Sequence, residues 1–151
     1  MKFLHSMIRV KNLEETKKFF CDIFGFYEVR RIENEKGRFT IIFLSAPGDK
    51  YDSKNNRTPL VELTYNWPDE NGVVEDYQSG RNFGHLAFAV SNIYETCKLA
   101  MDNGVVINRP PRDGYMAFLK TPDGISIELL QEGGAIPPKE PWISMENIGT
   151  W

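Results

Sequence analysis

The chain contains two histidines, His5 and His85, and each one begins an apolar stretch with the alternation of a β-strand. Two later stretches, PLVELTYNW and GISIELL, carry Glu62 and Glu128 on strand faces opposite apolar rows. Such a carboxylate needs a proton or a cation, because burying an unpaired charge is costly. Taken singly, these residues also fit structural histidines and surface glutamates. Together, two imidazoles and two carboxylates favour a site for zinc, nickel, cobalt or iron.

The two histidines open two copies of an internal repeat. Segment 5–22, HSMIRVKNLEETKKFFCD, aligns with segment 85–102, HLAFAVSNIYETCKLAMD. Seven of the 18 aligned positions are identical: His5/His85, Val10/Val90, Asn12/Asn92, Glu15/Glu95, Thr16/Thr96, Lys18/Lys98 and Asp22/Asp102. The repeat predicts two copies of one structural unit, with a histidine at the same place in each.

Each copy reads as a strand, a helix and three more strands. Asn12 and Asn92 are predicted helix N-caps, with a glutamate three residues later as in a capping box. Gly25 and Gly104 are predicted to end the helices in the left-handed conformation. The later strand patterns are FYEVRRI, FTIIFLS and PLVELTY in the first copy, and VVINRP, YMAFLK and ISIELLQ in the second. The sequence therefore predicts an α+β fold of two β-α-β-β-β modules.

The predicted domain organisation has four parts. They are a first module at 1–67, a polar linker at 68–82, a second module at 83–132 and a C-terminal tail at 133–151. One module of this size buries too little surface to be stable alone, so we expect the modules to pair, within one chain or across a dimer. The tail is rich in proline but carries Trp142 and Trp151. The sequence leaves two alternatives for the tail: it docks on a surface, or it forms a loose terminus.

Composition excludes several classes of function. The 151 residues carry a net charge of −3, which provides no basic field for nucleic acid or an anionic membrane. No apolar run approaches the roughly 20 residues that cross a bilayer, and the N-terminal stretch is too polar for a signal peptide. Two cysteines argue against a disulfide framework, so we expect a cytoplasmic protein.

Over residues 1–132 the chain resembles the glyoxalase I enzymes (lactoylglutathione lyases) of the vicinal oxygen chelate superfamily. The motifs that carry the resemblance are LHSMIRVKNLEETKKFF, VELTYNW, FGHLAFAV and TPDGISIELL. The resemblance implies the glyoxalase/bleomycin-resistance/dioxygenase fold, in which the two modules form a cupped, eight-stranded mixed sheet around a metal.

The resemblance also implies a role for each candidate residue. The metal ligands would be His5, Glu62, His85 and Glu128, one ion per site, with water or substrate oxygens completing the shell. Arg9 and Asn66 would hold the γ-glutamyl group of glutathione, and Arg81 would meet the glycyl carboxylate. Arg109 and Arg112 are open candidates for substrate contact. The segment VVINRPPRDGYMAF lacks the insertion of the longer zinc enzymes, which favours nickel or cobalt and leaves zinc as a possibility.

The implied reaction converts the hemithioacetal of methylglyoxal and glutathione to S-lactoylglutathione, with Glu128 or Glu62 as the catalytic base. The implied partner is a second copy of the chain, with sites at the subunit interface of a homodimer. Another low-molecular-weight thiol could replace glutathione. Three other functions compete with this one: an acyl-CoA epimerase-like proton transfer, an extradiol dioxygenase, and a metal-free small-molecule-binding module.

Overall fold

A computed structural model describes residues 1–49, 51, 58–78 and 80–151. The chain divides into two compact units, Met1–Gln78 and Ser79–Trp151. The division falls within the predicted linker 68–82, of which residue 79 lies outside the described residues. The four-part organisation itself stays a prediction. None of the described helices is long and apolar enough to cross a membrane.

The first unit has the predicted β-α-β-β-β order. Its elements are β1 (His5–Arg9), α1 (Leu13–Lys18), a π-helical turn (Phe19–Ile23), β2 (Tyr27–Asn34), β3 (Phe39–Ser45) and β4 (Leu60–Asn66). The strands form one sheet in the order β1-β4-β3-β2. Strand β1 runs parallel to β4, whereas β3 is antiparallel to both of its neighbours. The sheet is therefore mixed.

The second unit repeats this topology. Its elements are β5 (His85–Val90), α2 (Ile93–Asp102), β6 (Ile107–Arg109), β7 (Met116–Lys120) and β8 (Ser126–Gln131). The strand order is β5-β8-β7-β6, again with one parallel pair, β5 and β8. The described residues thus contain two four-stranded mixed sheets, which confirms the predicted fold class.

The predicted caps begin both helices. The Asn12 side-chain oxygen accepts the Glu15 N–H at 3.1 Å, and the Asn92 oxygen accepts the N–H groups of Tyr94 and Glu95. Gly25 and Gly104 follow the helical segments with φ of 73° and 81°, which L side chains rarely adopt.

The first helix differs from the expected regular α-helix, because it ends at Lys18 and continues as the π-helical turn. Phe19 and Phe20 open this turn, and both are buried. A regular helix would separate two consecutive side chains by about 100°, so burying both requires an unusually wide apolar face.

The two faces of each sheet have different surroundings. Buried residues such as Ile42, Leu63 and Leu129 occupy one face, together with the apolar sides of the helices. In α2 the thiol of Cys97 is part of this core, and its burial raises its pKa to about 12. Strand alternation puts the histidines and glutamates of interest on the opposite, more open face.

The tail docks on the second unit, which is one of the two alternatives left open by its sequence. Trp142 is only 5% exposed and stacks on Tyr94, with ring centroids 6.0 Å apart. Trp151 stacks on Phe118 at 5.9 Å. The Asn108 amide donates to the carbonyl of Ile148 at 2.8 Å. The tail therefore covers part of the second unit as a packed segment.

Replacing Trp142 with alanine is expected to lower the free energy of unfolding by about 3 kcal/mol, because it removes a buried aromatic side chain. Urea denaturation measures this change. Ile143→Ala is the matched control, because Ile143 adjoins Trp142 in the sequence but its side chain is exposed. This substitution should change the free energy of unfolding by about 0.5 kcal/mol or less. Equal stabilities for the two variants would show that the tail does not dock in solution.

Candidate metal centre

In the first unit, the parallel pairing of β1 and β4 brings a histidine to a glutamate. Met7 lies opposite Glu62 in the register, and His5 precedes Met7 by two residues on the same face. The imidazole reaches diagonally across the strand pair, so that His5 Nε2 lies 3.0 Å from Glu62 Oε2. The other carboxylate oxygen, Oε1, accepts the hydroxyl of Thr64 at 3.2 Å.

The second unit builds the same pair in the same register. Ala87 lies opposite Glu128, and His85 precedes Ala87 by two residues. His85 Nε2 lies 3.2 Å from Glu128 Oε2. The internal repeat therefore produces two equivalent histidine–glutamate pairs, one in each unit.

The geometry of each pair suits two ligands of one metal ion. Donors bound at 2.0–2.2 Å and at right angles to each other lie about 3 Å apart, which matches both nitrogen–oxygen distances. The glutamate side chains are 12% and 14% exposed, whereas the histidines are 39% and 42% exposed. The carboxylates are thus held by the sheet, and the imidazoles remain open to an incoming ion.

One unit by itself supplies only half of the predicted ligand set. Within the part of the chain that the structure describes, no group of three or more His, Cys, Asp or Glu side chains is placed to hold a metal ion. A four-ligand site therefore requires two such pairs to come together.

Two phenylalanines complete the surroundings of the pairs, and neither was recognised from the sequence. Phe43 lies beside Glu62 on the neighbouring strand, and Phe118 lies beside Glu128. Each ring packs edge-on against the histidine of its unit, with centroids 5.5 and 5.4 Å apart. A Phe-Leu dipeptide in FTIIFLS and YMAFLK is the sequence signal that could have revealed them.

Comparison with known proteins places the chain in a family. The sequence model of the Glyoxalase/Bleomycin resistance protein/Dioxygenase superfamily matches residues 2–129. The chain belongs to this superfamily. The resemblance and the fold class expected from the sequence are therefore confirmed.

Two relatives within the glyoxalase superfamily are lactoylglutathione lyases by name. The probable lactoylglutathione lyase of Synechocystis sp. is 36% identical over 136 residues, which cover 87% of this chain and 95% of that protein. The lactoylglutathione lyase of Neisseria meningitidis serogroup A is 36% identical over 137 residues, covering 87% and 91%.

Two solved structures of glyoxalase I are similar in fold to this chain. The trypanothione-dependent glyoxalase I of Leishmania major superimposes with a TM-score of 0.75 at 32% identity, covering 87% of each chain. Glyoxalase I from Zea mays superimposes with a TM-score of 0.73 at 29% identity, covering 91% of this chain and 47% of that one.

Two of the residues that the glyoxalase resemblance assigns to substrate lie in the first unit. Arg9 ends β1, exposed and on the same face as His5. Asn66 ends β4, and its amide donates to the carboxylate of Glu75 at 2.7 Å. The Tyr77 hydroxyl donates to the same carboxylate at 3.1 Å, and burial, with Glu75 nearby, raises the pKa of that hydroxyl. The third residue, Arg81, is exposed in the second unit.

The two open candidates, Arg109 and Arg112, already hold parts of the second unit together. Arg109 pairs with Asp113 at 2.9 Å and donates to the Met116 carbonyl. Arg112 donates at 2.8 Å to the Met145 carbonyl and to the Asn147 side chain of the tail. Both guanidinium groups therefore form hydrogen bonds within the second unit.

Proposed function

We propose that this protein is a metal-dependent lactoylglutathione lyase. It converts the hemithioacetal of methylglyoxal and glutathione to S-lactoylglutathione and thereby detoxifies methylglyoxal. The observation that carries the proposal is the equivalent histidine–glutamate pair in both units of a glyoxalase-superfamily chain. The two relatives described above, a probable lactoylglutathione lyase and a lactoylglutathione lyase, are both 36% identical over most of the chain and support this specific activity.

The metal ligands in this proposal are His5, Glu62, His85 and Glu128. Two nitrogens and two carboxylate oxygens form a donor set that suits nickel or cobalt and also accepts zinc. The nitrogen–oxygen separations of about 3 Å support shared ligation within each pair. When bound, the ion would supply Lewis acidity that withdraws negative charge from the substrate oxygens.

The carboxylates then perform the proton transfer. The substrate proton at C1 is weakly acidic because a carbonyl group adjoins it. Glu128 removes this proton and returns it to C2, while the hydroxyl proton on the C1 oxygen passes to the C2 oxygen. The reaction is therefore an isomerisation without net oxidation. Glu62 holds the equivalent position for the other face of the hemithioacetal. General base catalysis of this kind typically contributes about 10²–10⁴-fold.

Polar residues around the pairs hold the thiol portion of the substrate in this proposal. Arg9 and Asn66 bind the γ-glutamyl group, and Arg81 binds the glycyl carboxylate. The Asn66 amide already donates to a carboxylate, that of Glu75, which supports its ability to bind an acidic group. Glu75 must release Asn66 when substrate binds.

Metal exchange tests the proposed function. The purified protein is stripped with a chelator and reloaded with nickel, cobalt or zinc, and thioester formation from methylglyoxal is followed with glutathione and other low-molecular-weight thiols. Nickel or cobalt with glutathione is expected to restore the highest rate. Absence of thioester with every metal and thiol would contradict the proposal. Equal binding of glutathione with and without metal would favour a metal-free small-molecule-binding module.

The proposal includes a cytoplasmic homodimer whose sites form between subunits. Among the described residues, each unit brings together one histidine and one glutamate of the proposed ligand set, and no group of three or more such donors is placed to hold a metal ion. Two equivalent sites would form if the first unit of one chain met the second unit of its partner. Cys21 and Cys97 are both free thiols, which supports a location in a reducing compartment such as the cytoplasm.

Mixing two inactive variants tests the shared site. One chain carries His5→Ala and the other Glu128→Gln. In a heterodimer with shared sites, one site receives both lesions and the other receives none. An equal mixture is expected to regain about a quarter of the parent activity, because half of the dimers are mixed and each contains one intact site.

Sites formed within single chains would keep one lesion each, so no activity would return. Mass spectrometry of differently tagged chains provides the control for subunit exchange. Proven exchange without recovered activity would contradict the shared site.

A further inference from the structure

Arg30 lies in the same cross-strand row of the first sheet as Glu62, one of the proposed metal ligands. It is opposite Phe43 in the register of β2 and β3, and Phe43 is in turn opposite Glu62 on β4. The Arg30 guanidinium carbon lies 3.8 Å from the centroid of the Phe43 ring. The same ring contacts His5 edge-on. A single aromatic ring therefore separates a cation from the proposed ligands.

The Arg30 cation has no acidic partner among the described residues, and its side chain is exposed. The next residue, Arg31, shows the contrast. Arg31 lies on the other face of the strand and forms a bidentate salt bridge with Glu28, in which both nitrogen–oxygen distances are 2.9 Å. Arg31 thus has a structural role, whereas the charge of Arg30 remains available for a ligand.

The internal repeat provides a second contrast. Arg109 lies opposite Phe118 in the second unit, as Arg30 lies opposite Phe43 in the first. Asp113 neutralises Arg109, whereas none of the described carboxylates does so for Arg30. Both units therefore carry a row of arginine, phenylalanine and glutamate, but only in the second unit does a described carboxylate pair with the arginine.

We propose that Arg30 is a further substrate-binding residue, which holds a carboxylate of the thiol portion of the substrate. This inference rests on the proposed function. Stacking on Phe43 uses one face of the guanidinium and leaves its N–H edges free, and those edges fit the two oxygens of a carboxylate. Glutathione offers two such groups, the glycyl and the γ-glutamyl carboxylates.

Binding of S-methylglutathione, an unreactive thioether, tests the role of Arg30 without turnover. Calorimetry compares the metal-loaded parent protein with Arg30→Gln, Arg30→Lys and the control Lys98→Gln, which removes an equal charge from the exposed surface of α2. Arg30→Gln is expected to raise Kd about tenfold or more, and the lysine variant less, because lysine keeps the charge without the planar fork. Lys98→Gln is expected to leave Kd unchanged.

Blocking each carboxylate identifies the group that Arg30 holds. The two probes are S-methylglutathione with the glycine as ethyl ester, and S-methylglutathione with the γ-glutamyl carboxylate as amide. The block at the partner group should weaken binding to the parent but add no further loss in Arg30→Gln. Steady-state kinetics should show a raised KM with kcat at saturation close to that of the parent.

Additive losses for both blocked probes, or a Kd for Arg30→Gln equal to that of the control, would overturn the role of Arg30. A parent protein that binds S-methylglutathione but forms no thioester would instead contradict the proposed function. The two failures are therefore distinguishable.

Discussion

Replacing His85 with alanine is expected to weaken metal binding by at least about 100-fold and to abolish turnover at ordinary metal concentrations. Removing a residue that only orients a metal ligand typically weakens metal binding or activity 10–100-fold. Removing the ligand itself should weaken metal binding at least as much. The fold should persist, because the imidazole is 42% exposed on the open face of the sheet. Metal titration followed by activity assay measures both effects.

His5→Ala provides the matched comparison for His85→Ala. The repeat places the two histidines in equivalent positions, each about 3 Å from its glutamate. Both variants should therefore lose metal to a similar extent and keep the circular dichroism spectrum of the parent. If both retained metal as tightly as the parent, the proposed ligand set would be wrong.

Glu128→Gln is expected to lower turnover by at least about 100-fold, because the amide cannot accept the proton that the carboxylate removes. The side chain is nearly isosteric and only 14% exposed, so the sheet should hold it in the same position. The measurement is kcat at matched metal occupancy. Comparing the proteins at equal metal occupancy distinguishes a lower kcat caused by loss of the base from one caused by loss of metal.

Glu132→Gln is the control for Glu128→Gln. Glu132 is exposed and follows the last residue of β8, Gln131, so the substitution removes a nearby carboxylate outside the site. Its turnover should equal that of the parent. Near-normal turnover in Glu128→Gln at equal metal content would exclude Glu128 from proton transfer.

Tertiary structure alone decided which residues surround the histidine–glutamate pairs. Phe43 and Phe118 contact the histidines because a third strand pairs beside each glutamate, at a register that alternation within one strand cannot predict. Pairing of a fourth strand in each sheet places Arg30 and Arg109 at equivalent positions, opposite the phenylalanines, but only Arg109 has a carboxylate partner among the described residues. The docking of Trp142 on Tyr94 also depends on contacts between distant segments.

The amino-acid sequence by itself determined the local features from which the site is built. Asn12 and Asn92 begin the helices because their side chains satisfy free N–H groups a few residues away. Strand alternation assigned His5 and Glu62 to one face, and the repeat extended that assignment to the second unit. These features depend on neighbours within one strand or helix, whereas strand register and the residues beside each pair depend on long-range packing, which only the folded chain specifies.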